Sequence, residues 1–304
     1  MKTPWWFLKK TPMSFLLLPF AAVYAAVSRV VFFFRKFRAC KSRRPVICIG
    51  NIFAGGVGKT PVVRTVAMML DAPVVMRGYK KSAATMNAGD EATMLSRSGI
   101  QVHTGNRKSN IVLLNKQDSS APIVMDDGFQ NPTIKKDISI LVFDEKMGFG
   151  NGFLLPAGPL REGRRAISRA DAIVVIKSDA PNKKFKLPTD KPIFYAHNKT
   201  VSPYDEDTPI VAFAGIGYPK KFFAALSNVV AKKSFPDHYQ YTDADIEKLM
   251  QLAARKKAKL VTTEKDWVRL PEYARDKIKY ARLDTVIENG FFDWLKEKLK
   301  NANG

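Results

Sequence analysis

Residues 50–61 place the tightest constraint on this chain, because they read Gly-Asn-Ile-Phe-Ala-Gly-Gly-Val-Gly-Lys-Thr-Pro. An apolar run at 46–49 precedes them and a helical pattern at 62–70 follows them. Strand, glycine-rich turn and helix, in that order, form the context of a phosphate-binding loop. The glycines let consecutive backbone N–H groups face one anion, and the helix N-terminus adds its dipole. The stretch predicts a loop that binds nucleotide phosphates; an ordinary glycine-rich turn is the alternative.

Two side chains of this loop have predicted contacts with the ligand. Lys59 can reach the β- and γ-phosphates of ATP, and the Thr60 hydroxyl can bind Mg²⁺. The usual pattern has a glycine where Phe53 stands, so this is a variant loop. The predicted ATP-binding residues are Gly55, Gly56, Val57, Gly58, Lys59 and Thr60.

A second signal is the apolar run at 122–125 that ends in Asp126 and Asp127. A strand that delivers a carboxylate beside the loop's Mg²⁺ is the Walker-B arrangement. With two adjacent aspartates, one can hold the metal or its water shell while the other orients its neighbours. A plain turn after a strand is the alternative, and the nearby phosphate loop makes it the weaker one.

Phosphoryl transfer also needs a group that accepts the proton of the attacking hydroxyl. The candidates are Asp90, at the start of a helical pattern, and His238, one of only three histidines. Asp90 can instead be a helix N-cap, Glu91 a first-turn acid favoured by the helix dipole, and His238 a structural residue. An aspartate with a pKa of about 4 is a weak base, so a neighbouring histidine would help it.

The N-terminal 44 residues are basic, apolar and aromatic, and the run from 13 to 34 carries one charge, Arg29. About 20 apolar residues are just enough to cross a bilayer, whereas flanking cations and aromatics suit its interface. We favour a membrane-associated helix. A cleaved signal peptide and a buried helix of a soluble fold are the alternatives.

The formal net charge is +22, and no Asp or Glu occurs before Asp71. Such an excess indicates a polyanionic partner, either nucleic acid, anionic lipid or a phosphorylated substrate. No aromatic–basic stacking motif accompanies the charge, so we expect no nucleic acid. Of the two cysteines, Cys48 lies in the strand before the loop, which favours a buried thiol and a reducing compartment.

Strand and helix patterns alternate over about 150 residues, which predicts a parallel sheet covered on both faces. The irregular stretch at 148–162 is rich in glycine and proline, and loops of this length tend to be functional. We predict an N-terminal membrane-associated segment at 1–44, a phosphate-loop kinase domain at 45–200 and a smaller α/β domain at 201–304.

Taken together, the motifs resemble those of the tetraacyldisaccharide 4′-kinase (lipid A 4′-kinase) family. In chain order they are Gly-Asn-Ile-x-x-Gly-Gly-x-Gly-Lys-Thr-Pro at 50–61, Arg-Gly-Tyr at 77–79, Gly-Asp-Glu-Ala at 89–92, Asp-Asp-Gly-Phe-Gln at 126–130, Phe-Gly-Asn-Gly at 149–152, Leu-Pro-Ala-Gly-Pro-Leu-Arg-Glu at 155–162, Asp-His-Tyr at 237–239 and Thr-Thr-Glu-Lys-Asp at 262–266. The set is highly specific, although most of its members are weak singly.

The resemblance implies transfer of the γ-phosphate of ATP to the 4′-hydroxyl of a tetraacyldisaccharide 1-phosphate, which gives lipid IVA. It also implies two α/β/α units with the active site in the cleft between them, and association with the cytoplasmic face of the bacterial inner membrane. We expect a monomer that contacts anionic lipids.

The resemblance further implies roles for individual residues. Asp90 matches the catalytic base and His238 the histidine that pairs with it. Three further residues match the family's acids around Mg²⁺, namely Glu91, Asp126 and Asp127. Three others match active-site positions that contact the substrate or the transition state, namely Arg77, Arg161 and Glu162. The chain departs from the family pattern at 131–132, where Asn-Pro replaces His-Tyr, and at 80–81, where Lys-Lys replaces Gly-Arg.

Two other classes of function compete with the lipid kinase. One is a nucleotide-switch ATPase or GTPase with a related variant loop. Many of those proteins carry a lysine where this chain has Ala54, and no guanine-reading Asn-Lys-x-Asp occurs here. The other is a nucleic-acid binder, which only the charge suggests.

Overall fold

The structure is a computed structural model that describes residues 4–37, 39–78, 89–237 and 239–303. Its described residues form two compact units, and neither is continuous in sequence. The larger unit contains residues 4–78, 98–197 and 285–303, and the smaller unit contains residues 89–97 and 198–284. The three predicted domain ranges, 1–44, 45–200 and 201–304, remain a prediction.

The helices and strands have the following bounds. The helices are α1 (Pro12–Leu16), α2 (Leu18–Lys36), α3 (Lys59–Met69), α4 (Asp90–Arg97), α5 (Arg107–Leu114), α6 (Pro219–Ala224), α7 (Asp243–Arg255), α8 (Glu264–Trp267), α9 (Glu272–Arg275) and α10 (Phe291–Asn303), with short 3-10 helices at Trp5–Phe7 and Arg164–Arg169. The strands are β1 (Val46–Gly50), β2 (Val74–Met76), β3 (Val102–Thr104), β4 (Ile123–Asp126), β5 (Ile138–Asp144), β6 (Ala172–Ile176), β7 (Ile193–Val201), β8 (Ile210–Ala214), β9 (Val229–Ser234), β10 (Lys259–Thr263) and β11 (Lys279–Ile287).

A parallel sheet forms the centre of the larger unit, with the strand order β3-β2-β4-β1-β5-β6-β7. β1, β2, β4 and β6 are buried at every position. A strand buried on both faces reads as a continuous apolar run, which is why these strands were visible in the sequence. Parallel strands bring their carboxyl ends to one edge, so β1 and β4 deliver residues 50–61 and 126–130 side by side. The predicted parallel α/β sheet is confirmed.

Helix α3 follows the glycine-rich loop and begins at Lys59, directly after Gly58. Gly58 precedes α3 with φ 79° and ψ 27°, a left-handed conformation that favours glycine. The buried face of α3 contains Val62, Val63, Val66 and Ala67, spaced as a helix that packs on a sheet requires. The predicted order of strand, glycine-rich turn and helix is therefore confirmed.

A second parallel sheet, with the order β11-β10-β8-β9, forms the centre of the smaller unit. Helix α7 packs on it through Ile246 and Leu249, and its N-cap is Thr242, within a full capping box. Helix α4 also belongs to this unit. The Arg97 guanidinium lies 4.1 Å from the centre of the Trp267 ring, a cation–π contact between α4 and α8.

Helix α2 is long and apolar enough to cross a membrane, by length and composition. Only 6% of its most apolar window is buried, and Phe20, Val23 and Phe34 are each more than 60% exposed. The alternative of a buried helix of a soluble fold is wrong for this reason. The segment before α2 is docked on the glycine- and proline-rich loop, since Asn151 bonds to the carbonyls of Trp6 and Phe7.

Strands β9 and β11 were absent from the prediction. β9 reads Val-Val-Ala-Lys-Lys-Ser and β11 reads Lys-Tyr-Ala-Arg-Leu-Asp-Thr-Val-Ile. Most of their positions are exposed or half-buried, so neither strand carries the apolar run by which the central strands were recognised.

Candidate active site

The glycine-rich loop of the larger unit is shaped by Asn51, a fully buried side chain that follows β1. Its amide nitrogen donates to the Phe53 carbonyl at 2.8 Å, and its amide oxygen accepts from Lys59 Nζ at 2.9 Å. The Asn51 carbonyl accepts from Gln130 Nε2 at 2.9 Å. Asn51 therefore links both ends of the loop to the segment after β4.

Lys59 and Arg161 converge on the carboxylate of Asp127. Lys59 Nζ lies 3.1 Å from Oδ1, and Arg161 Nη1 lies 3.0 Å from Oδ1 and 2.9 Å from Oδ2. Burial on its own raises the pKa of the Asp127 carboxyl, but the two cations outweigh burial and hold that pKa below its usual range. The site thus holds two cations and one carboxylate at the mouth of a phosphate loop.

The turn that presents Asp127 is fixed by backbone contacts. Asp126 lies opposite Ile49 in the sheet, and the Asp127 N–H donates to the Ile49 carbonyl at 2.9 Å. Asp127 has φ 49°, in the left-handed region. Arg107 Nη2 donates to the carbonyls of Asp126 and Asp127 at 2.7 and 3.1 Å, and burial lowers the pKa of Arg107. The predicted strand that ends in an aspartate beside the loop is confirmed.

Phe53, the departure from the usual loop pattern, is buried against the glycine- and proline-rich stretch. It forms a β-bridge with Leu160. The Ala54 N–H donates to the Pro159 carbonyl, and the Arg161 N–H donates to the Ile52 carbonyl, both at 2.7 Å. These bonds fasten residues 148–162 to the phosphate loop and deliver Arg161 to Asp127.

The oxygen donors near the loop fit a Mg²⁺ ion that is also bound by substrate phosphates. The described residues contain no group of three or more His, Cys, Asp and Glu side chains that could hold a metal ion alone. Mg²⁺, however, keeps several waters and is usually bound through one or two carboxylates together with substrate phosphates. Thr60, Asp126 and Asp127 lie around the phosphate loop and supply hydroxyl and carboxylate oxygens of that kind.

The other candidates of the larger unit lie near this cluster. Glu162 is paired with Arg169, whose Nη2 lies 2.6 Å from Oε2. Arg77 is exposed directly after β2, and its charge contributes to the lowered pKa of Arg107. Sequence reasoning gave no role to Asn51 and missed Arg107. The signal for Asn51 was its place in the motif, whereas a lone arginine after a helix cap gives none.

Asp90 and Glu91 form the first turn of α4 in the smaller unit. The Asp90 carboxylate is bound by Arg269, a contact that an N-cap role does not account for. His238 lies outside the described residues, as do residues 79–88, which include Tyr79, Lys80 and Lys81 of the motifs. Arg269 was also missed, although it follows the Thr-Thr-Glu-Lys-Asp motif by three residues.

Comparisons with known proteins agree with these motifs. Residues 13–300 match the model of the family described as tetraacyldisaccharide-1-P 4′-kinase. A tetraacyldisaccharide 4′-kinase from Paramagnetospirillum magneticum is 38% identical, over 91% of this chain and 92% of the relative. One from Rickettsia typhi is 33% identical over 97% of each chain. The crystal structure of LpxK from Aquifex aeolicus in complex with ATP is similar, with a TM-score of 0.76 and 26% identity, over 96% of this chain and 99% of that one. The chain belongs to the tetraacyldisaccharide 4′-kinase family.

Proposed function

We propose that this protein transfers the γ-phosphate of ATP to the 4′-hydroxyl of tetraacyldisaccharide 1-phosphate, giving ADP and lipid IVA for lipid A synthesis. The observation that carries the proposal is the convergence of Lys59, Asp127 and Arg161 at a glycine-rich loop that opens helix α3. Membership of the family supplies the acceptor and the reaction. Two cations held in place before ATP binds suit a reaction whose catalysis is mostly positioning and charge stabilisation.

ATP binds through residues 55–60 in this proposal. The backbone N–H groups of Gly55 to Thr60 surround the phosphates, and Lys59 turns from Asp127 to the β- and γ-oxygens. Thr60, Asp126 and Asp127 would hold Mg²⁺, and Glu91 is a further predicted acid of the metal site. When bound, the ion would supply positive charge against that of the phosphate oxygens.

The acceptor hydroxyl loses its proton to Asp90. As the 4′-oxygen forms its bond to the γ-phosphorus, the bond from that phosphorus to the β,γ-bridging oxygen breaks, and ADP leaves. His238 pairs with Asp90 and helps it to accept the proton. Arg161 stabilises the charge on the transferred phosphoryl group, and Arg77 and Glu162 position the substrate.

The protein works at a membrane in this proposal. Its substrate has four acyl chains, and α2 presents an exposed apolar surface that ends in Arg35 and Lys36. Because ATP is supplied in the cytoplasm, we place the protein on the cytoplasmic face of the bacterial inner membrane, as a monomer in contact with anionic lipids. Basic residues beside an anionic surface contribute about 1 kcal/mol each. Nucleic acid is not a partner.

The test is incubation of the purified protein with γ-labelled ATP, Mg²⁺ and tetraacyldisaccharide 1-phosphate. We expect label in a bis-phosphorylated lipid, and loss of at least 100-fold in rate for Lys59→Ala, because removal of one preorganised charge costs about that much. The matched control is Lys116→Ala, an exposed lysine of the same unit. ATP hydrolysis without lipid phosphorylation would refute the proposal.

A further inference from the structure

The Thr-Thr-Glu-Lys-Asp motif at 262–266 has no task in the function proposed above. It closes β10 and opens α8, and Arg269 follows it by three residues. Every contact described below lies within the smaller unit, which contains residues 89–97 and 198–284. These contacts lead from the motif to Asp90.

Arg269 binds one oxygen of the Asp90 carboxylate with two nitrogens. Nε lies 2.8 Å and Nη2 lies 2.5 Å from Oδ2. Among the described residues, no hydrogen bond reaches the other oxygen, Oδ1. The Asp90 side chain is 35% exposed, whereas that of Arg269 is only 4% exposed. The buried member of this pair is therefore the arginine, and the more exposed member is Asp90.

Arg269 is held in turn by the motif. Its Nη1 lies 3.4 Å from Asp266 Oδ1 and 3.4 Å from the Gly215 carbonyl. Asp266 is fully buried, and its Oδ2 accepts from Thr263 Oγ1 at 2.6 Å and from the Gly215 N–H at 3.0 Å. The Asp266 N–H donates back to Thr263 Oγ1 at 3.1 Å. Thr263 therefore both caps α8 and orients the Asp266 side chain.

The far end of α4 is tied to the same segment. Arg97, the last residue of α4, stacks on Trp267 at 4.1 Å, two residues before Arg269. Helix α4 is thus fixed near its first and last residues to residues 263–269. A guanidinium is planar and its donors have fixed directions, whereas the terminal torsion of an aspartate is broad. A two-nitrogen contact to Oδ2 restricts that torsion and leaves Oδ1 without a hydrogen bond among the described residues.

We propose that Arg269 is a positioning residue for the phosphoryl transfer, which orients Asp90 so that Oδ1 accepts the proton of the 4′-hydroxyl. Thr263 and Asp266 of the Thr-Thr-Glu-Lys-Asp motif hold the guanidinium in place. The inference rests on the proposed role of Asp90 as base. It assigns the motif a function through hydrogen bonds that run from Thr263 to Asp266, from Asp266 to Arg269 and from Arg269 to Asp90.

The experiment is a double-mutant cycle on the full-length protein. Steady-state rates with ATP and the disaccharide lipid are measured for wild type, Asp90→Ala, Arg269→Gln, Arg269→Lys and the double variant Asp90→Ala/Arg269→Gln. We expect Arg269→Gln to lower kcat about 10- to 100-fold with the KM for ATP within about twofold, because small misplacement of a catalytic group costs rates of that order. Arg269→Lys, which keeps the charge but not the fork, should lie between Arg269→Gln and wild type.

The decisive comparison is the double variant. If Arg269 acts only through Asp90, the double variant should be no slower than Asp90→Ala, within about threefold. An arginine that merely stabilises the fold would instead lower the rate further in the Asp90→Ala background. Thermal unfolding of each variant identifies chains that are not folded, and Arg269→Lys serves if Arg269→Gln is one of them. The matched control is Arg282→Gln, an exposed arginine paired with Asp284 in the same unit, which should keep its rate.

Two results would overturn the inference, and they are distinguishable. A wild-type kcat in both Arg269 variants, with a strongly impaired Asp90→Ala, removes Arg269 alone. A wild-type kcat in Asp90→Ala removes Asp90 as base and the role of Arg269 with it. In either case, lipid phosphorylation by the wild-type chain still tests the proposed reaction independently.

Discussion

Asp127 has two positively charged partners in the larger unit, and its negative charge offsets the repulsion between them. Lys59 and Arg161 both lie within about 3 Å of its carboxylate. Without phosphates, two cations so close together would repel each other, and Asp127 offsets that repulsion. In the proposed function, the phosphates of ATP are a second anion for the same cations. Asp127 therefore neutralises part of the positive charge of Lys59 and Arg161.

We predict that Asp127→Asn lowers kcat about 100-fold, since the amide keeps the size of the side chain but removes the charge that orients both cations. Rates are measured with labelled ATP and the disaccharide lipid, and thermal unfolding is recorded alongside. Asp118→Asn, an exposed aspartate of the same unit, is the matched control and should stay within about twofold of wild type. A rate for Asp127→Asn equal to that of the control would contradict this account.

At the scale of elements, the glycine- and proline-rich stretch at 148–162 contacts both the N-terminal segment and the glycine-rich loop of the larger unit. Asn151 bonds through its amide nitrogen to the Trp6 and Ala157 carbonyls, and its oxygen accepts from the Phe153 N–H. The same stretch pairs with the phosphate loop through Leu160. It therefore links the docked N-terminal segment to the glycine-rich loop at residues 50–61.

Gly158 is one of the positions in this stretch where the packing leaves no room for a side chain. A Cβ built there would lie 2.1 Å from Asn151 Oδ1 and 2.5 Å from the Phe153 carbonyl. We predict that Gly158→Ala lowers the free energy of unfolding by about 1–3 kcal/mol, the usual cost of overpacking, and reduces lipid phosphorylation with it. Calorimetry and the kinase assay measure the two effects.

The control for Gly158→Ala is Gly163→Ala, five residues along the chain. A Cβ at Gly163 meets nothing within 4 Å, and its φ of −67° suits alanine. This variant should keep both the stability and the rate of wild type. Equal unfolding temperatures for the two variants would show that the close packing at Gly158 contributes little.

At the scale of the whole molecule, charge and apolar surface coincide at the N-terminal end of the chain. Phe33 and Phe34 on α2 are 58% and 66% exposed, and basic residues follow them directly. No acidic residue occurs before Asp71 in a chain of net charge +22. An apolar surface flanked by cations favours an anionic membrane, through burial of the rings and attraction to the headgroups.

We predict that Phe33→Ser/Phe34→Ser weakens binding to vesicles that contain anionic lipid at least tenfold, because two exposed aromatic rings that would enter the membrane are lost. Raising the salt from about 50 to about 200 mM should weaken wild-type binding several-fold, since it screens the charges. Co-sedimentation measures both effects. Val112→Ser/Leu113→Ser, an exposed apolar pair on α5, is the control and should bind as wild type does. Salt-independent binding would exclude the electrostatic contribution.

The central strands and the phosphate loop were predictable because each is a local signal. β1 and β4 are continuous apolar runs, and the glycines of residues 50–61 indicate the turn between strand and helix. Strands β9 and β11 carry no such run, since much of their length is polar. The contact between Asp90 and Arg269 was beyond prediction, because no periodicity relates two residues 179 positions apart.

That separation in sequence has a consequence for how the protein is made. The ribosome adds about 5–20 residues per second, so Arg269 is synthesised roughly 10–35 s after Asp90. Helix α4 leaves the ribosome without the rest of its unit, and residues 98–197 of the larger unit are made in the interval. The phosphate loop and Asp127 thus exist in the nascent chain well before the arginine that orients Asp90, and the ability to hold a nucleotide can precede the ability to pass on its phosphate.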